Sequence, residues 1–103
     1  MKTVGEFEVN NTFKITGRGL VIAGRIISGT IKIGDLIDIE FADGVEHFEI
    51  SGVEHILTST SSPDPYAFGL LIKDLTPDEV EIHRTRKIIQ KRIEIRRMDD
   101  NKI

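Results

Sequence analysis

With 103 residues and no cysteine, the chain has room for one domain with a single core, and it excludes disulfides and cysteine-ligated metal. Residues 1–83 carry 6 Lys and Arg against 14 Asp and Glu, a balance of −8, whereas residues 84–103 carry 8 against 3, a balance of +5. An acidic body therefore precedes a basic tail, and the body's charge opposes non-specific binding of nucleic acid by the body itself.

No segment approaches the roughly 20 apolar residues of a membrane span. The opening MKTVGEFEVNN has no apolar run of signal-peptide length. A cysteine-free chain also fits a reducing compartment, so a cytoplasmic protein with no membrane partner is expected.

Residues 6–15 read as a first strand with Phe7, Val9 and Phe13 facing inward. Residues 16–19 form a tight loop. A second strand over 20–28 contains Gly24 inside an apolar run, which predicts a bulge or a barrel corner. Ser28-Gly29-Thr30 turns into a short strand at 31–33, and Gly34-Asp35 turns again into a strand over 36–41. Asp43-Gly44 is a hairpin signal.

The extended stretch 45–58 is expected to break into two strands at Ser51-Gly52, followed by a polar, serine-rich loop over 58–64. Another strand spans 67–73. Thr76 and Glu79 form a capping box for a turn or one helical turn, after which 80–89 resumes extended structure. Isoleucines at 88, 89, 93 and 95 fit a helical stripe and a strand alike. The reading adopted is a strand to about residue 89 and then a short basic helix. It divides the chain into a β-barrel domain over 1–89 and a basic tail over 90–103. Short strands at this spacing argue an all-β barrel or sandwich.

The stretch FKITGRGLVIAGRIISGTIKIGD, with Gly52-Val53-Glu54 and Gly69-Leu70-Leu71-Ile72-Lys73 further on, resembles domain 2 of elongation factor Tu and related translational GTPases. The resemblance covers residues 10–82 and implies a closed, six-stranded Greek-key barrel. In that family the barrel surface holds the terminal adenosine of aminoacyl-tRNA, with apolar side chains against the ring and a glutamate as acceptor. The resemblance places Ile15, Val21 and Leu71 at apolar contacts and Glu54 at the acceptor position.

Elsewhere the chain departs from the family pattern. Leu57 stands where an arginine is expected, Ala67 where an asparagine is expected, and Ile82-His83 where an arginine–glycine pair is expected. Lys73-Asp74 replaces another arginine–glycine pair, and Asn10-Asn11 an acidic pair. Lost cations remove charge-assisted contacts to a nucleic-acid end. The surviving Ile15, Val21 and Leu71 fit ordinary barrel packing equally well.

Candidate chemistry in the residues themselves is sparse. Gly19 and Gly24 have the spacing of a phosphate loop, but Arg25 replaces its lysine and Ile26 its magnesium-holding hydroxyl. Four apolar residues between the glycines make a strand, so no nucleotide and no cofactor is expected on this chain. His47, His55 and His83 lack ligand spacing, and Glu46, Glu49 and Glu54 near them suit a solvent face better than a metal site. Asp35, Asp38 and Glu40 fit a solvated barrel face, and no serine or threonine has a base beside it in sequence. An enzyme is not expected.

The tail cations Arg84, Arg86, Lys87, Lys91, Arg92, Arg96 and Arg97 either neutralise phosphates or lie on the chain's own acidic barrel. The expected function is non-catalytic binding of RNA or the ribosome. The alternative is a protein–protein interaction or oligomerisation module that has lost the RNA role.

Overall fold

A computed structural model describes residues 2–55 and 68–98. Its elements are β1 (Lys2–Ile15), β2 (Gly19–Gly29), β3 (Leu36–Phe41), β4 (Gly44–His55), β5 (Phe68–Ile72), α1 (Pro77–Thr85) and β6 (Arg92–Arg97). The strands form a closed barrel in the order β1-β2-β5-β4-β3-β6, and every pair is antiparallel. The all-β barrel expected from sequence is thus present, and its order is compatible with a Greek-key connection. Inward residues from every strand fill it; Phe7, Leu20, Ile22, Ile37, Ile39, Ile50, Leu70 and Ile95 are at most 1% exposed. Among the described residues no helix is long and apolar enough to cross a membrane.

Of four register shifts among the described strands, two bulges set which way the candidate residues face. In β1, Val9 pairs with Gly24 and Asn11 with Ala23, leaving Asn10 as an extra residue. A one-residue insertion exchanges the two faces of everything beyond it. Phe7 and Val9 point into the core as expected. Phe13 does not: it is half-buried and pairs with Val21, which alternates outward between the core residues Leu20 and Ile22. The second bulge leaves Ser51 extra, since Ile50 pairs with Ile72 and Gly52 with Leu71. The stretch expected to split at Ser51-Gly52 is therefore one strand, which pairs with β3 along its first half and with β5 along its second.

Residues 31–33 form no strand and lead into a turn. The serine-rich loop over 58–64 lies outside the described residues.

The segment after residue 76 differs most from expectation. The capping box forms, with the Glu79 amide donating to Thr76 Oγ1 at 3.2 Å and the Thr76 amide donating to Glu79 Oε1 at 2.8 Å. The helix does not stop after one turn, because Val80 and His83, three apart on one face, are both buried. Val80 joins the barrel core.

Beyond the helix the chain runs along β3. The Ala42 amide donates to the Lys87 carbonyl at 2.8 Å, and the Ile89 amide to the Glu40 carbonyl at 2.9 Å. β6 then pairs with both β1 and β3. Residues 92–97 are the strand that closes the barrel, so the expected basic helix is absent there. The boundary at residue 89 separates no appendage from the body. Closure rewards the period-two pair Ile93 and Ile95, which are 3% and 0% exposed, over the helical pair Ile89 and Ile93.

Candidate functional site

Register brings three of the four residues implied by the resemblance onto one outer face. Phe13 lies opposite Val21, Val21 opposite Leu71, and Leu71 opposite Gly52. Glu54, two positions beyond Gly52 and opposite Gly69, shares that face because strand side chains repeat every second residue. Val21 and Leu71 are nearly closed to solvent, at 1% and 7% exposure.

Ile15 ends β1 opposite Gly19. It lines a cleft of about 450 Å³ whose apolar wall also includes Leu75, Pro77 and Val80. Sequence reasoning missed Arg18, whose guanidinium is ion-paired with Glu54. Gly17 and Gly19 have φ of +83° and +100°, a conformation glycine adopts freely, and this tight turn carries Arg18 between them. A ligand hydroxyl approaching Glu54 would have to share the carboxylate with Arg18. Of the positions where the chain departs from the family pattern, Leu57 and Ala67 lie outside the described residues.

The tail cations divide into two groups. Arg84 pairs with Glu81, which also takes Lys14 at 2.5 Å. The Lys14 ammonium and the Arg84 guanidinium hold the Glu81 carboxyl down at about 2. Arg86 donates to Asp43 Oδ1 at 2.9 and 2.7 Å and to Glu46 at 3.0 Å, and its guanidinium lies 4.1 Å from the centre of the Phe41 ring. Its hydrogen bonds hold Asp43 below the usual carboxylate range, and Asp43 in turn pushes Arg86 up.

Arg96 pairs with Asp38 at 2.5 Å, and Arg97 pairs with Asp35 at 2.7 Å. Lys87, Lys91 and Arg92 are exposed and have no ion pair among the described residues. Four arginines are thus taken up by the body's own carboxylates, while Lys87 and Lys91 on the crossover from α1 to β6 and Arg92 at the start of β6 remain.

Asp35 is not part of a solvated face; it is 1% exposed. Asp38 is shared between Arg96 and His47, at 2.5 and 2.6 Å, while Glu40 is exposed. The three acids do not converge on a common point. His55 packs against Phe68, with ring centres 5.2 Å apart. His83 is buried, stacked on Phe41 and edge-on to Phe48. Its Nδ1 accepts from Arg86 at 3.0 Å, since a guanidinium can only donate. Among the described residues no three His, Asp or Glu gather where they could hold a metal.

The segment from Gly19 to Ile26 lies within β2 and is paired to β1 along its length, so it forms no phosphate cradle. The described fold and these surfaces define a closed six-stranded barrel with a helix and a basic crossover beside it. No family model matches the sequence.

Proposed function

We propose that this chain is a non-catalytic RNA-binding barrel of the kind found as domain 2 in translational GTPases, acting with the translation machinery in the cytoplasm. The observation that carries the reading is the set Lys87, Lys91 and Arg92, exposed along the crossover and the start of β6 without ion pairs among the described residues, in a chain of net charge −3. Holding three unneutralised cations together costs repulsion that a polyanion relieves. The outer row of Val21, Leu71 and Glu54 falls on the positions the family resemblance implies, and Glu54 is the member of it open to solvent.

Truncating the tail would remove β6, so the test uses point variants. A short single-stranded RNA should bind with log affinity falling against log salt at a slope of about −2 for three phosphate contacts. The triple variant Lys87→Gln, Lys91→Gln, Arg92→Gln should bring that slope near zero with an unchanged melting temperature. Absence of binding at low salt would end the proposal.

The competing reading, a protein-interaction module, draws on Val45 and Ile89, 54% exposed each and both neighbours of Glu40. Under that reading the triple variant leaves partner capture intact, and Val45→Ser with Ile89→Ser abolishes it.

A further inference from the structure

The bulge at Asn10 faces the crossover that carries Lys87 and Lys91. Between them lies a groove of about 320 Å³. Its polar wall holds Asn10, Asn11, Arg84, Lys87 and Lys91, Ile88 adds an apolar patch, and among the described residues no carboxylate lines it. That composition is the reverse of the body around it, where residues 1–83 have a net charge of −8.

Asn11 is oriented for donation. Its Oδ1 accepts the Thr12 amide at 2.9 Å, which fixes the side-chain flip, because an N–H can only donate to oxygen. The Asn11 NH₂ is left with two donors. The far wall is equally well held: the Val9 amide donates to the Lys91 carbonyl at 2.6 Å, and Thr12 Oγ1 donates to the Arg84 carbonyl at 3.4 Å.

We propose that this groove seats a phosphodiester group of single-stranded RNA. Lys87 and Lys91 supply charge, Asn11 supplies a directed neutral donor, and Ile88 lies against the sugar. The ligand's identity rests on the RNA-binding reading above. The groove itself rests on the geometry of the bulge and the crossover. Amide and ammonium donors converging on a water-exposed phosphate give charge-assisted hydrogen bonds, the stronger kind.

Two titrations test it. In the first, nitrogen-labelled protein is titrated with pyrophosphate and backbone amide shifts are followed. In the second, fluorescence anisotropy of a labelled oligouridylate is measured. Each uses the parent, Asn11→Asp, Lys91→Gln and Arg92→Gln. Asn11→Asp keeps the acceptor for the Thr12 amide, removes the outward donors and puts a negative charge in their place. Arg92 does not line the groove.

Saturable pyrophosphate shifts at Asn11, Thr12 and Lys91 are expected, abolished by Asn11→Asp. Oligouridylate affinity should fall about tenfold or more in Asn11→Asp, which loses a hydrogen bond to a charged group and gains a like charge, and less in Arg92→Gln. No saturable shift at those residues, with Asn11→Asp binding oligouridylate like the parent, would overturn the groove. The wider RNA reading would then stand on Lys87 and Arg92. Pyrophosphate binding without oligouridylate binding would overturn the RNA assignment.

Discussion

Arg97 grips Asp35 through both carboxylate oxygens, at 2.7 and 2.9 Å, across 62 positions of sequence. Asp35 also accepts the Lys32 amide at 2.8 Å, and its carbonyl accepts the Ile50 amide at 2.8 Å. One residue so ties the turn before β3 to β4 and β6. Burial raises the Asp35 pKa, but the Arg97 guanidinium and the Lys32 amide lower it by more, so the net position is below its ordinary 3.8.

A carboxyl whose folded pKa lies below its unfolded one stabilises the fold above the unfolded value, and that contribution fades as pH falls through the folded value. The parent's melting temperature should therefore drop between about pH 5 and about pH 2, and Asp35→Asn should show a smaller drop. Arg97→Ala, which leaves the buried carboxylate without its partner, should cost about 3 kcal/mol at neutral pH. Equal pH dependence in parent and Asp35→Asn would count against this assignment.

Gly24 is required for close approach and not for a left-handed backbone. A Cβ there would stand 1.9 Å from the Glu8 carbonyl oxygen and 2.8 Å from the Phe7 ring, against backbone that cannot yield cheaply. Gly24→Ala should lose about 3 kcal/mol or more, a fall in melting temperature of roughly 12 to 24 °C for a domain of this size. Gly52 is the internal control. Its Cβ would meet only the Leu71 side chain, at 3.6 Å or beyond, so Gly52→Ala should melt within about 3 °C of the parent, in keeping with an unstrained site.

Arg86 binds the helix end to the β3–β4 hairpin by means only a guanidinium has. It forks onto Asp43, reaches Glu46 and His83, and covers the Phe41 ring. A lysine supplies the charge without the fork or the flat stacking surface. Arg86→Lys should cost about 2 kcal/mol in chemical denaturation, and amides of α1 should exchange faster before global unfolding. A lysine variant as stable as the parent would reduce the site to a simple charge contact.

β6 should be indispensable although it lies in the segment expected to be a tail. It supplies the buried Ile93 and Ile95 and bridges β1 to β3. A chain ending at Gln90 leaves both neighbours with unpaired edges and should show no cooperative melting transition by circular dichroism.

The amino-acid sequence by itself determined the class of fold and several elements. Alternating apolar residues with glycine turns marked β3 to the residue, and Thr76 with Glu79 marked where α1 begins. The split between an acidic body and a basic end was also plain, because charge is a sum over residue types. The family resemblance pointed to Val21, Leu71 and Glu54, which do share a face, but it did not single out Arg18, whose partner is distant in sequence.

Tertiary structure decided the rest, and for one reason. Isoleucines 89, 93 and 95 satisfy both a helical and an extended spacing, and only the need to join β1 to β3 selects the strand. Gly24 marks an irregularity in β2, but nothing in β1 itself announces the bulge at Asn10 opposite it; the register with β2 imposes that bulge, and with it the outward turn of Phe13. Likewise, which of the basic side chains are neutralised depends on carboxylates that barrel closure brings beside them. Local patterns limit what a segment can be, whereas the pairing of segments far apart in sequence settles which face each residue presents.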